Sequence, residues 1–240
     1  MSAPILRAQG VAVHFGGVKA LDGVDLSVDR GELRCLIGPN GAGKTTFFRC
    51  LTGVLKPTLG TIVFRDESIG GWERHEIARA GIGIKTQVPS LFDGLSVEEN
   101  LWLSLRKVAE ERRRQELILE VLDRIGIADL RKLILGRMAH GQRQLVELAM
   151  VVASSPELVL LDEPAAGMTD AEVERLARVI LDLNSNHTVV VVEHDMQFIR
   201  MIANIVTVFH QGRVLVEDHV ESILHDDRVR AVYLGKKNVE

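Results

Sequence analysis

The densest chemistry in the chain lies in nine consecutive residues, Gly38-Pro39-Asn40-Gly41-Ala42-Gly43-Lys44-Thr45-Thr46. They satisfy the phosphate-loop spacing and stand between an apolar run and a helix-like one. Glycines let successive backbone N–H groups turn inward around phosphate oxygens, and a following helix start adds its partial positive charge. In that arrangement Lys44 reaches the β- and γ-phosphates, and Thr45 offers a hydroxyl to Mg²⁺, a hard cation that takes oxygen ligands. Such a loop serves kinases, GTPases and ATPases alike, so a second acidic site has to decide. Leu158-Val159-Leu160-Leu161 reads as a buried strand, and Asp162-Glu163-Pro164 follows at its carboxyl end, where ligands bind in open α/β sheets. Asp162 suits the water shell of Mg²⁺, and Glu163 suits orienting or deprotonating an attacking water. Adjacent acids with different tasks indicate a hydrolase, because a kinase transfers phosphate to a substrate hydroxyl and has no use for an activated water. His194 follows the apolar Val189-Val190-Val191-Val192 and Glu193. A lone histidine there is more often structural, but beside the other strand ends it can donate to γ-phosphate oxygens and register their presence.

These residues need a frame, and the hydrophobic period supplies it. The first 37 residues read as short alternating strands, Val11 to Phe15, Val24 to Val28 and Leu33 to Ile37, with a break at Gly16-Gly17. Alternation suits a small antiparallel sheet with one face in solvent. From residue 98 to about 153 the period turns helical, with Leu117, Val121, Leu122 and Ile125 three and four apart, as in an inserted helical subdomain. Beyond Pro156, wholly apolar runs alternate with the amphipathic stretch 171–183, the pattern of a parallel sheet covered on both faces. Residues 204–216 read as a hairpin about Gln211-Gly212, followed by a short helix.

Composition narrows the partners. The 240 residues are 46% hydrophobic, enough for a sizeable core. With 29 Lys+Arg against 33 Asp+Glu the net charge is -4, so no nucleic acid is expected as a partner. The longest uncharged stretch, 201–212, has 12 residues, while a membrane span needs about 20 apolar ones. The opening MSAPILRAQG lacks a basic start and an apolar run, which makes a cytoplasmic location the expectation. Cys35 and Cys50 have neither metal-ligand nor redox spacing and are expected in the core. Arg112-Arg113-Arg114, among Glu110, Glu111 and Glu116, is expected on a solvated helix face, and Lys236-Lys237 in solvent.

Taken in order, these residues resemble the nucleotide-binding subunit of ABC transporters over nearly the whole chain. The resemblance implies an α/β P-loop NTPase (RecA-like) core with a small antiparallel β subdomain, residues 1–87 and 154–240, and an inserted α-helical signature subdomain, residues 88–153. It makes the cofactors ATP and Mg²⁺ and the activity ATP hydrolysis. Phe15 matches the aromatic that stacks on adenine, and Gln87 the glutamine that joins core to helical subdomain and senses Mg²⁺ and water. Met138-Ala139-His140-Gly141-Gln142 stands where the family signature, usually Leu-Ser-Gly-Gly-Gln, is found, and His194 matches the switch histidine. The signature implies a second ATPase subunit, identical or a paralogue, facing head to tail, with each ATP between one phosphate loop and the partner's signature helix. Further implied partners are integral membrane permease subunits and, indirectly, a substrate-binding protein, which places the chain on the inner face of the membrane. Two departures stand out: Ala139 replaces the signature serine, and Thr169, beside Asp170, replaces the aspartate of the loop after the strand-tip acids. With Phe15-Gly16-Gly17, Asp162-Glu163-Pro164-Ala165-Ala166-Gly167 and Glu193-His194-Asp195-Met196, they are similar to the branched-chain amino-acid uptake group, and His140-Gly141-Gln142 to its urea or short-chain amide branch. Val88 to Phe92 and Leu101-Trp102-Leu103, around Glu98 and Glu99, are the expected grip for a membrane subunit. Alternatives are a soluble ABC-type ATPase, an exporter or lipid-transport ATPase, and a small-molecule kinase. A DNA-repair ATPase would need a longer coiled-coil insertion, and a translation factor usually a second cassette.

Replacing Phe15 with Ala should weaken nucleotide binding by about 1–2 kcal/mol through lost stacking. Titration with a fluorescent ATP analogue checks it, and unchanged affinity would place Phe15 outside the nucleotide site.

Overall fold

The computed structural model describes residues 3–87, 91–106 and 110–234. Strands β1 (Leu6–Phe15) and β2 (Val18–Val28) pair antiparallel, with Phe15 opposite Val18 across the Gly16-Gly17 turn. Strand β3 (Leu33–Ile37) leaves that sheet, is buried along its whole length, and delivers the chain to helix α1 (Lys44–Leu51). Strands β4 (Leu59–Phe64) and β5 (Glu67–Ser68) return to complete a four-stranded antiparallel sheet, ordered β2-β1-β4-β5. The short helix α2 (Arg74–Arg79) leads into β6 (Ile82–Lys85). Sequence periodicity assigns nothing to β4, β5 or α2, because their runs of two to six residues are too short to display a period.

The helical insert follows. Helix α3 (Val97–Leu105) starts on a capping box in which Ser96 and Glu99 satisfy each other's donors. Helix α4 (Glu111–Ile125) ends at Gly126 in left-handed conformation, and α5 (His140–Val152) carries the signature at its start. Buried Asn100 accepts from Phe92 N at 2.9 Å and donates to Phe92 O at 3.1 Å, fixing the loop ahead of α3. The chain then builds β7 (Leu158–Asp162), α6 (Asp170–Asn184), β8 (Thr188–Val192), α7 (Met196–Ile202), β9 (Ile205–His210) and β10 (Arg213–His219). Helices α8 (Val220–His225) and α9 (Asp227–Leu234) close it, two where a single one was expected, because Asp226 between them takes an extended backbone. The second sheet runs β10-β9-β3-β8-β7-β6, parallel except for the β10-β9 hairpin. Alternate residues of β7 serve different cores: Val159 and Leu161 pack with the helical insert and α6, Leu158 and Leu160 with α1 and the small sheet. The continuous apolar run of this strand is the consequence of cover on both faces. The expected α/β class is thus what the chain builds. Among the described residues, no helix is long and apolar enough to cross a membrane.

Both cysteines are buried and unpaired, as expected. Of the three arginines expected in solvent, Arg112 and Arg113 are exposed and reach Glu116 at 4.0 and 3.1 Å. Arg114 is not: its guanidinium lies 4.7 Å from the centre of the Trp102 ring, and its Nε is buried without a hydrogen-bond partner. The fourth residue of α4 faces back toward α3, where cation–π attraction offsets lost hydration. Val88 to Ser90 and Lys236-Lys237 lie outside the described residues.

Arg34 was read as part of an apolar strand, yet it ties the two sheets together. It is 3% exposed and donates to Thr207 Oγ1 of β9 at 2.8 Å and to Ser27 O of β2 at 3.1 Å, while pairing with Glu32 and Glu217. Replacing it with Ala removes the cation those acceptors were desolvated to meet. The expected loss is about 2–4 kcal/mol of unfolding free energy, measured by urea titration, with a smaller loss for Lys.

Candidate functional site

The loop 38–43 turns on three glycines. A Cβ on Gly38, at φ 147°, would overlap the Phe209 carbonyl oxygen; one on Gly43, at φ 106°, would stand 2.8 Å from Leu21 Cδ2. Gly41, at φ 77°, takes a backbone conformation that side chains disfavour. Helix α1 begins with no side-chain cap, so its first N–H groups remain available to a ligand. Lys44 is buried, and its Nζ donates to Gly38 O at 2.6 Å and Pro39 O at 3.2 Å. Burial draws the ammonium below its usual pKa, opposed by Glu163 and Asp162. A cavity of about 350 Å³ opens here, lined by Asn40 to Thr46, by Val18, Lys19 and Ala20, and by Glu163. Uncapped backbone donors around a buried cation make it fit a polyphosphate.

Glu163 stands in left-handed backbone, φ 44°, a conformation that costs a non-glycine residue of order 1–3 kcal/mol. That turn aims its carboxylate back over the sheet. Gln87 Nε2 donates to its Oε2 at 3.2 Å, and His194 Nδ1 lies 3.5 Å from its Oε1. The glutamine after β6, the acid after β7 and the histidine after β8 therefore meet on one carboxylate. Asp162 is buried beside them, and burial together with the Glu163 charge pushes its carboxyl up to about 6. A divalent cation would relieve that repulsion, and Thr45 Oγ1, Gln87 Oε1 and Asp162 are hard oxygen donors that could hold one. Among the described residues, no cluster of three or more His, Cys, Asp and Glu makes a metal cage of its own.

Glu193 escaped the sequence reading. It is 1% exposed; its Oε1 accepts from Ala165 N at 3.3 Å and its Oε2 from His194 N at 2.8 Å and Asp195 N at 3.4 Å. The carboxylate thus pins the histidine loop to the turn that follows Glu163. Its only sequence signal was an acid ending a four-valine strand next to His194.

Phe15 is 54% exposed at the β1 tip, opposite Val18 on the cavity wall, and so is free to offer a ring face. Ala139, His140, Gly141 and Gln142 do not line that cavity. Ala139 occupies the cap position of α5, where Gln142 Oε1 accepts from its N–H at 3.1 Å but the methyl group accepts nothing in return. His140 turns toward its own chain, with Nε2 3.0 Å from Ala166 O. Gly141 lies against Glu172, whose carboxylate a Cβ would overlap. Thr169, where an aspartate was expected, caps α6 by hydrogen bonding from N and Oγ1 to Glu172 Oε2, each at 2.9 Å. On the face expected to grip a membrane subunit, Phe92 and Trp102 are 55% and 39% exposed. The acids there are occupied, Glu98 by Arg131 and Lys132, Glu99 by Ser96.

Known proteins share this arrangement. The ABC transporter family pattern matches residues 21–166. The chain is similar to the high-affinity branched-chain amino acid transport ATP-binding protein LivG of Escherichia coli (strain K12), 36% identical over 98% of this chain and 100% of the relative. It is 35% identical to BraF of Pseudomonas aeruginosa, a protein described in the same terms, over the same shares. In structure it resembles MJ1267, an ATP-binding cassette of an ABC transporter in its ADP conformation, with a TM-score of 0.88 and 27% identity over 98% of this chain and 100% of that one. With its phosphate loop, helical insert and strand-tip acids in this order, the chain belongs to the ABC transporter family as one of its ATP-binding, ATP-hydrolysing subunits.

Proposed function

We propose that this chain powers an importer of branched-chain amino acids or of urea and short-chain amides, hydrolysing ATP with Mg²⁺ between two head-to-tail ATPase subunits. The observation that carries the paired site is the start of α5, whose cap residue Ala139 accepts no hydrogen bond and which stands away from the phosphate cavity of its own chain. A second subunit brings that helix start to the γ-phosphate, where free N–H groups and the helix dipole favour negative charge. The likeness to LivG over full length supports the substrate class.

Within the site, loop N–H groups from Gly38 to Thr46 bind the phosphates, Lys44 leaves its loop carbonyls for them, and Phe15 stacks on the base. Thr45, Gln87 and Asp162 would hold Mg²⁺, which when bound would supply positive charge to offset that of the phosphates. Glu163 orients the attacking water and takes its proton, with Gln87 fixing the other carboxylate oxygen. His194 donates to the γ-phosphate and, through the Glu193 clamp, links its presence to the loop after Glu163. Residues 1–87 and 154–240 act as the core and 88–153 as the moving signature subdomain, whose Phe92 and Trp102 face meets the permease. The chain works from the cytoplasm, peripheral to the membrane.

Replacing Glu163 with Gln should leave ATP affinity intact, lower hydrolysis by about a hundredfold or more, and trap a dimer visible by size-exclusion chromatography with ATP. Hydrolysis at the parental rate would remove Glu163 from that role, and a lone protomer enclosing ATP would remove the shared site. Changing Ala139 to Ser, which restores one hydroxyl donor worth on the order of 0.5–1.5 kcal/mol, should preserve or raise the rate of phosphate release. Cells lacking the gene should lose uptake of labelled leucine, or of labelled urea or acetamide; uptake of all three at the parental rate overturns the import reading.

A further inference from the structure

Lys85 ends β6 two residues before Gln87 and pairs in register with Leu161, the neighbour of Asp162. Its side chain runs inward rather than to solvent. It is 1% exposed, and its Nζ lies 3.2 Å from Oε2 of Glu147, itself 5% exposed, on the second turn of α5. Among the described residues, this is the ion pair in which both partners are buried; buried Arg34 pairs with the partly exposed Glu32 and Glu217, and buried Lys44 rests on loop carbonyls. No hydrogen bond reaches Glu147 Oε2, so the ammonium is what balances it. Helix α5 lies directly on β6 at this point because Gly83 leaves room: a Cβ there would stand 2.8 Å from Val151 Cγ1 and from Pro156 Cγ.

Packing alone does not call for these charges. Each ion loses several kcal/mol of hydration on burial, and a pair of apolar side chains of the same volume commonly holds two elements together as well or better. What an apolar pair lacks is a field. Lys85 also lies in register with Leu161, so its strand runs beside the one that ends in Asp162. One cation therefore stands between the helix that starts at the signature and the acids that end β7, on the strand that continues into Gln87.

Building on the hydrolytic reading above, we propose that Lys85 and Glu147 are a positioning pair that ties the seat of the signature helix to the strand-tip acids. When α5 is seated, Glu147 fixes the ammonium, and with it the approach of Gln87 to Glu163. When α5 shifts, the ammonium follows Glu147 and the acids lose that setting. Neither side chain touches nucleotide; both act through residues that do.

The test separates stability from rate. The double variant Lys85→Met with Glu147→Leu keeps the volume and removes both charges, so it should melt within about 3 °C of the parental chain and bind ATP within about twofold. Its kcat should fall about tenfold with KM little changed, whereas Lys85→Arg should retain most of the parental kcat. The exchange Lys85→Glu with Glu147→Lys should fold but hydrolyse slowly, because it sets a carboxylate beside Asp162. Parental kcat in the folded apolar double variant, or full recovery in the exchange, overturns the proposal while leaving the hydrolytic reading intact. A parental chain that releases no phosphate from ATP overturns the hydrolytic reading and this pair's role with it.

Discussion

One carboxylate organises the upper edge of the parallel sheet. Glu163 follows β7 in a backbone conformation that a glutamate adopts at a cost, and the turn it makes lets the ends of three strands converge on its two oxygens. Without that turn the acid would continue along the strand direction and miss both Gln87 and the phosphate loop. The surroundings hold it in place: Glu163 N donates to Val192 O at 2.9 Å, and the buried Glu193 grips Ala165 two residues later. Strain at the reactive position is thus supported by hydrogen bonds made elsewhere.

The same economy of contacts leaves two helix starts open in a single chain. The phosphate loop keeps its donors free by using glycine where a side chain would collide, and α1 begins without a cap. Helix α5 also begins without a side-chain acceptor, while α3, by contrast, starts on a closed capping box. Free donors at two helix starts that do not share a cavity each suit an anion, and in the proposed head-to-tail pair of chains one triphosphate would serve both.

Between those helix starts runs a polar connection, buried at Glu193, Lys85 and Glu147. His140 touches the loop after Glu163, Glu193 joins that loop to His194, and Lys85 with Glu147 joins α5 to the strand that leads to Gln87. Each link crosses from one element to another through a charged or imidazole group in a setting where apolar packing would have sufficed for stability. Polar links have preferred distances and directions, so a shift at one end changes the geometry and field at the other, which packed methyl groups do not transmit as sharply.

The sequence by itself determined the chemistry that depends on spacing along the chain. Gly38 to Thr46, the apolar strand before Asp162-Glu163 and the helical period of the insert are local patterns, and backbone stereochemistry turns them into a loop, a strand tip and an amphipathic helix. Both buried cysteines and the α/β class followed from the same local rules. The tertiary structure decided which partners distant residues meet. Arg34 looked like one polar residue in an apolar strand, Arg114 like part of a solvated run, Glu193 like the ordinary end of a strand, and Thr169 like a lost aspartate. Their roles depend on neighbours elsewhere in the fold: Thr207 and Glu217 for Arg34, Trp102 for Arg114, Ala165 for Glu193. Thr169 found its partner close by, in Glu172. Burial of a charge is settled by what faces it across the fold, and one chain read in order carries no record of that.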